Sequence, residues 1–166
     1  MNRSPFKIGS VLDDRYELLD HLGSGGMGSV FLAQDTRLQT QVAVKCVHPH
    51  LLEKNALKES ERFKLEAIEA AKLNHENIIA VRDYRADGDC FYYVMEYVPG
   101  SVTLAEKLEQ LQKNDEHLGE DVALSLAKQA SAALRATHEA GIVHRDIKPE
   151  NLLVYETAEG PRLKVM

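Results

Sequence analysis

Four glycines fall within six residues at Gly23, Gly25, Gly26 and Gly28, and an alternating segment follows them at once. In Ser29–Asp35, Val30 and Leu32 face one way and Phe31 and Ala33 the other, the period of a strand. Glycines let a backbone approach phosphate oxygens closely. In a doubly wound dinucleotide fold, however, such a turn must open onto a helix. A strand in that place excludes that fold. It leaves a glycine loop joining two strands, read either as a phosphate cover or as a plain flexible turn.

The rest of the chain extends the pattern. Tyr16 to Leu22 is apolar at intervals, and Gln41–Val47 is a second Val-rich strand. Ile78–Arg85 and Cys90–Tyr97 are strand-like, and Asp87-Gly88 between them is a hairpin signal. From Asn55 to Leu73, Phe63, Ala67, Ala70 and Ala71 recur at helical spacing among Glu and Lys. After a leader over 1–14, residues 15–97 thus predict an antiparallel sheet of five strands with one helix. Pro99-Gly100 marks a boundary, and 98–166 turns helical. Leu104, Leu108 and Leu111 share a face there. Glu120–Ala140 carries a stripe of Val122, Leu126, Ala130, Ala133, Leu134 and Thr137, and Gly141 is its stop signal. Glu159-Gly160-Pro161 separates two short apolar runs as a second hairpin. The fold class is α+β.

Charge and composition narrow the function. The formal net charge is −6, with no Lys/Arg run, so a nucleic-acid partner is not expected. No apolar run approaches the roughly 18 residues of a membrane span. Cys46 and Cys90 have no metal or redox spacing. They read as structural thiols in a reducing, cytoplasmic setting.

Two further motifs carry chemistry. In Val42-Ala43-Val44-Lys45, a lysine sits among apolar strand residues. It reads either as an edge-strand cation reaching solvent or as a phosphate contact paired with a carboxylate. Glu66 on the following helix is the favoured partner and Glu69 its rival. The more specific motif is His144-Arg145-Asp146-Ile147-Lys148-Pro149-Glu150-Asn151. Asp146 can accept a hydroxyl proton, Lys148 can neutralise a phosphoryl group, and Asn151 can ligate Mg²⁺. Gly141-Ile142-Val143 and Leu152-Leu153-Val154 flank this loop and tie it to a core.

The three motifs, in this order and on these elements, resemble a serine/threonine protein kinase, most closely the eukaryote-like kinases of bacteria, from Tyr16 to the last residue. The resemblance implies ATP and Mg²⁺ as cofactors and a protein substrate bearing a Ser or Thr hydroxyl. By it, Gly23, Gly25 and Gly28 would cover the phosphates. Leu22, Val30, Ala43 and Leu153 would sandwich adenine, Met95 would be the gatekeeper, and Glu96 and Val98 would offer hinge backbone groups. Lys45 would hold the α- and β-phosphates and pair with Glu66. Asp146 would be the catalytic base, Lys148 the γ-phosphate contact and Asn151 the metal ligand. Arg145 would imply control by a phosphorylated activation loop, and His144 is read as packing.

In that family an Asp-Phe-Gly motif follows the strand Leu163–Met166. The resemblance therefore implies a C-terminal lobe that is incomplete within these residues, which alone would be inactive, and uncovered apolar surface on the helix 120–140. The reading is a segment of a longer kinase, in which a downstream membrane anchor stays open. The alternative is a truncated, inactive module that binds nucleotide or a partner.

Overall fold

The computed structural model describes residues 6–25, 28–47, 65, 67–87 and 90–166. Contacts divide the chain into two units: Met1–Lys72 with Ala80–Tyr97, and Leu73–Ile79 with Val98–Met166.

The first unit is an antiparallel sheet of six strands in the order β1-β2-β3-β4-β6-β5. The strands are β1 (Val11–Leu12), β2 (Tyr16–Gly25), β3 (Gly28–Asp35), β4 (Thr40–Val47), β5 (Val81–Asp87) and β6 (Cys90–Glu96). The five expected strands are present, and the leader adds a sixth. Asp13 and Asp14 both adopt left-handed backbone (φ 50° and 51°), and the Arg15 N–H closes the turn on the Leu12 carbonyl at 3.0 Å. Positive φ at both central residues gives a primed turn, whose twist suits a hairpin. Aspartate tolerates that conformation better than most residues, so the signal lay in Asp-Asp rather than in the commoner Asn-Gly.

Strand periodicity sorts the side chains. Tyr16, Leu18, Phe31, Ala33, Val42, Val44, Cys46, Tyr92 and Val94 form one buried cluster, which Phe6 from the leader completes. By alternation, Val30, Leu32, Ala43, Lys45 and Met95 lie on the opposite face. Helix is described at 65 and 67–71; the rest of the helix expected from Asn55, with Phe63 and Glu66, lies outside the described residues.

Two of the expected boundaries differ. β2 continues through Gly23 and Gly25, because glycine keeps its ladder groups, and Gly25 pairs with Gly28. β5 begins at Val81 rather than Ile78. Asn77–Ile79 belong to the second unit, where Val165 N–H donates to the Asn77 carbonyl and Ile79 N–H to the Val165 carbonyl, each at 2.8 Å.

The second unit holds β7 (Val102–Thr103), α1 (Leu104–Lys113), α2 (Glu120–Glu139), β8 (Leu152–Thr157) and β9 (Gly160–Val165). β7, β8 and β9 form a three-stranded sheet. Thr103 caps α1 reciprocally with Glu106, a capping box. α2 ends in a Schellman motif. Gly141 (φ 76°) donates to the His138 carbonyl at 2.9 Å, and Ile142 donates to the Thr137 carbonyl at 2.8 Å. Ile78, Leu126, Ala133, Leu152, Val154, Leu163 and Val165 are the buried core. Leu124 on α2 is 55% exposed. Asn77, itself buried, donates to the Leu163 carbonyl (2.8 Å) and to Gln129 Oε1 (3.1 Å), and Gln129 Oε1 also accepts Leu163 N–H at 2.9 Å. This network joins segment 73–79 to α2 and β9.

Candidate active site

In the first unit, the glycine motif is the end of the β2–β3 ribbon. The register steps from His21↔Phe31 to Gly23↔Val30, so Leu22 is an extra, bulged residue, 44% exposed. The three glycines differ in surroundings. Among the described residues, a Cβ on Gly23 or Gly25 would meet nothing within 4 Å, whereas one on Gly28 would lie 2.0 Å from the Cys46 carbonyl oxygen. Backbone at Gly23 and Gly25 is therefore open to a ligand. Gly28 is glycine because β4 approaches it.

β4 places Ala43 and Lys45 on the face away from the core cluster. Val30 is the register partner of Lys45, and Met95 that of Ala43. Four sequence-predicted residues thus share one sheet face. Lys45 is half-buried. Glu66 lies outside the described residues, as do Gly26 and Met27. Glu69, the rival, accepts from Lys72 Nζ at 2.5 Å. Glu96 N–H donates to the Ala80 carbonyl at 2.9 Å.

The second unit carries the loop 144–151. Asn151 Nδ2 donates to the Asp146 carbonyl (2.7 Å) and to its Oδ2 (2.8 Å), and Lys148 Nζ lies 3.2 Å from Oδ1. The hydrogen bond from Asn151, then that from Lys148, holds the Asp146 carboxyl below the usual carboxylate range. Asp146 is an exposed anion with both oxygens engaged. The 3₁₀ turn Pro149–Asn151 brings Asn151 back toward Asp146, closed by Asn151 N–H on the Lys148 carbonyl at 2.9 Å. Proline at its first position needs no N–H partner.

His144 braces this loop. Its Nδ1 accepts the Asp146 N–H at 3.3 Å, so Nε2 is the protonated nitrogen and donates to the Met166 carbonyl at 2.6 Å. Arg145 adopts left-handed backbone, φ 64°, the kind of strain that concentrates at functional sites. Met166 N–H donates to the Asn151 carbonyl at 2.9 Å, tying the loop's last residue to the end of β9. Leu153 alternates with the buried Leu152 and Val154, so it faces away from their core. Val98 is buried, and its carbonyl accepts Ser101 N–H (3.3 Å) and Oγ (2.8 Å).

Asp146 and Asn151 offer hard oxygen donors, the chemistry Mg²⁺ requires. Among the described residues no group of three His, Cys, Asp or Glu forms a metal cluster by itself. The open backbone at Gly23 and Gly25 fits a bulky anion.

Sequence reasoning passed over Asp35. It is buried and accepts from Arg15 Nε and NH2, the latter at 2.8 Å, and from the N–H groups of Arg37 and Leu38 at 3.0 and 3.1 Å. The signal was present as an Asx turn, Asp35-Thr36-Arg37-Leu38. Also missed was the hydrogen-bonded set His21, Ser24 and Ser29 beside the glycines.

The chain is similar to known proteins over most of its length. The protein kinase domain model matches residues 16–166. A probable serine/threonine-protein kinase of Clostridium perfringens is 40% identical over 149 residues, which are 90% of this chain and 21% of that protein. The serine/threonine-protein kinase PksC of Streptomyces coelicolor is 43% identical over 144 residues, 84% of this chain and 25% of that protein. PknB of Mycobacterium leprae is 40% identical over 150 residues, 88% of this chain and 23% of that protein. The chain spans about a quarter or less of the length of these relatives. The crystal structure of the Mycobacterium tuberculosis PknI kinase domain has the same fold, with TM-score 0.79 at 24% identity over 96% of this chain and 61% of that one. On the match across residues 16–166, and on relatives that are all named serine/threonine-protein kinases, the chain belongs to the protein kinase domain family.

Proposed function

We propose that this chain binds Mg·ATP and serves ATP-dependent phosphorylation of Ser and Thr hydroxyls on protein substrates. The observation that carries the reading is the Asp146 carboxylate, held ionised and oriented by Asn151 and Lys148. A hydroxyl proton needs an acceptor aimed at it as oxygen attacks phosphorus, and Asp146 is that acceptor. The acceptor oxygen forms a bond to the γ-phosphorus, the bond to the β,γ-bridging oxygen breaks, ADP leaves, and the proton passes to Asp146 and then to water.

The other roles follow the same reading. Gly23, Gly25 and Gly28 lie over the phosphates, Lys45 with Glu66 holds the α- and β-phosphates, and Lys148 meets the γ-phosphoryl group. Asn151 holds the cation through its amide oxygen, since its nitrogen is engaged with Asp146. Mg²⁺, when bound, neutralises charge on the phosphates. Leu22, Val30, Ala43 and Leu153 enclose adenine beside Met95. Glu96 offers it a carbonyl and Val98 an N–H, consistent with the bonds their other backbone groups make. Residues 15–97 and 98–166 are taken as the two lobes, in line with the division after Tyr97. No helix among the described residues is long and apolar enough to cross a membrane.

The test is transfer of γ-labelled phosphate to a protein acceptor by the intact protein as its cells make it. Asp146→Asn should slow transfer by about 10²–10⁴-fold with nucleotide binding retained. Label should appear on Ser or Thr. Transfer at an unaltered rate by that variant would remove Asp146 from the chemistry, and label on a small-molecule hydroxyl alone would overturn the protein substrate.

A further inference from the structure

The tip of the β2–β3 ribbon carries an arrangement that phosphate binding by glycine backbone does not itself require. Ser24 and Ser29 are direct register partners, and the next pair outward is Gly25↔Gly28. Their hydroxyl oxygens lie 2.9 Å apart, and His21 Nε2 lies 2.8 Å from Ser24 Oγ. The bulge at Leu22 makes this possible. Without it, His21 and Ser24, three residues apart, would point to opposite faces of the strand. With it, His21 pairs with Phe31 and Ser24 with Ser29, and Phe31 and Ser29 share a face. The His21 ring is fixed further, edge-on to Phe31 at 5.3 Å, and the His21 main-chain N–H donates to Asp20 Oδ1 at 2.8 Å.

We propose that His21, Ser24 and Ser29 form a strap that positions the glycine loop for the ATP phosphates. The proposal rests on the nucleotide-binding reading above. Glycines lose more backbone freedom on ordering than any other residue, and among the described residues nothing lies within 4 Å of a would-be Cβ on Gly23 or Gly25. A loop ordered only on binding takes that entropy from the affinity, whereas one held beforehand does not. The strap puts one side-chain hydrogen bond, Ser24 to Ser29, across the ribbon next to its last described pair, and a second, His21 to Ser24, along β2, where glycine leaves no side-chain packing. Cross-strand hydroxyl pairs stabilise a ladder in this way. The three side chains lie on the face away from Val30, Ala43 and Lys45, so they act through the backbone and are positioning residues.

A positioning effect on the phosphate-facing backbone should register on ATP and not on adenosine, which lacks phosphates. The experiment is calorimetric titration of the full chain with Mg·ATP and, separately, with adenosine. Ser24→Ala and Ser29→Ala should each weaken Mg·ATP binding by roughly 5–10-fold and leave adenosine binding unchanged. Ser24→Thr, which keeps the hydroxyl on a strand-favouring side chain, should restore it. If Ser24→Ala does not fold, His21→Phe keeps a ring against Phe31 while removing the nitrogen, and should weaken Mg·ATP alike. Equal losses for both ligands would mean a merely structural role and overturn the strap. So would Mg·ATP affinities within about twofold of the unaltered chain. Binding of neither ligand by the unaltered chain would overturn the strap together with the nucleotide reading, a result distinct from the other two.

Discussion

A Cβ added to Gly28 would sit 2.0 Å from the main-chain oxygen of Cys46 and 3.0 Å from its carbon. Main chain cannot swing aside as a side-chain tip can, so the strands must part. Gly28→Ala should therefore destabilise the sheet by about 1–3 kcal/mol in urea unfolding. Gly25→Ala, with open space around it, should leave stability within about 0.5 kcal/mol. Equal costs at the two positions would refute this. Asp35 gives a second residue-scale prediction. The Arg15 guanidinium, with the Arg37 and Leu38 N–H groups, holds its carboxyl below the usual range. Asp35 binds protons more weakly folded than unfolded. Its stabilisation is thus full above the unfolded value of about 3.9 and is lost as pH falls from there toward the lower folded value. Asp35→Asn should be less stable at pH 7 by about 2 kcal/mol, with the gap closing below about pH 4. Urea midpoints measured across that range check it, and a gap independent of pH would contradict it.

At the scale of elements, the end of α2 was legible in the sequence because one residue type served one geometry. Gly141 sits at φ 76°, and two main-chain bonds close on the last turn. Gly141→Ala should cost about 1 kcal/mol in thermal unfolding, and a cost near zero would mean that the Schellman bonds contribute nothing. The core stripe was legible for a similar reason: Leu126, Ala133 and Thr137 are the buried residues of α2. The strand alternation of Phe31 and Ala33 against Val30 and Leu32 was legible too. What escaped was whatever depended on a partner far along the chain. Ile78 and Ile79 are apolar whether they begin β5 or bond to β9, and no local pattern separates the two. β7 has only two residues and exists because β8 pairs with it. In the loop 144–151, residue types singled out the candidate site, but the bracing by His144 required knowing that Met166 lies beside it. The bulge at Leu22 was illegible because one inserted residue leaves no mark in composition.

Across the molecule, the two units are built differently. The second is a helix-and-hairpin unit tied together by Asn77 and Gln129, and the first is a sheet whose buried face is finished by its own leader. Phe6 is 5% exposed within that cluster, and Leu12 packs against it. Arg15 reaches both Asp35 and Asp83, while Tyr16 donates to Asp83 at 2.9 Å, burial holding its hydroxyl protonated. Asp13 receives the Tyr92 hydroxyl and Arg85. Phe6→Ala should therefore destabilise the first unit by about 3 kcal/mol, read as earlier loss of amide protection in β2 and β6. Unchanged protection in those strands would mean that the leader lies on the sheet without supporting it.

That leader has a consequence for modularity. The family model's match starts at residue 16, yet the buried cluster of the sheet reaches back to Phe6. The start of the motif-bearing match and the start of the buried cluster thus fall at different places. A recombination event, or an engineered chimera, that cuts at residue 16 would transplant the glycine loop, Lys45 and the loop 144–151. It would leave behind the aromatic plug on which the sheet closes, and the graft would succeed only where the new neighbour supplies one.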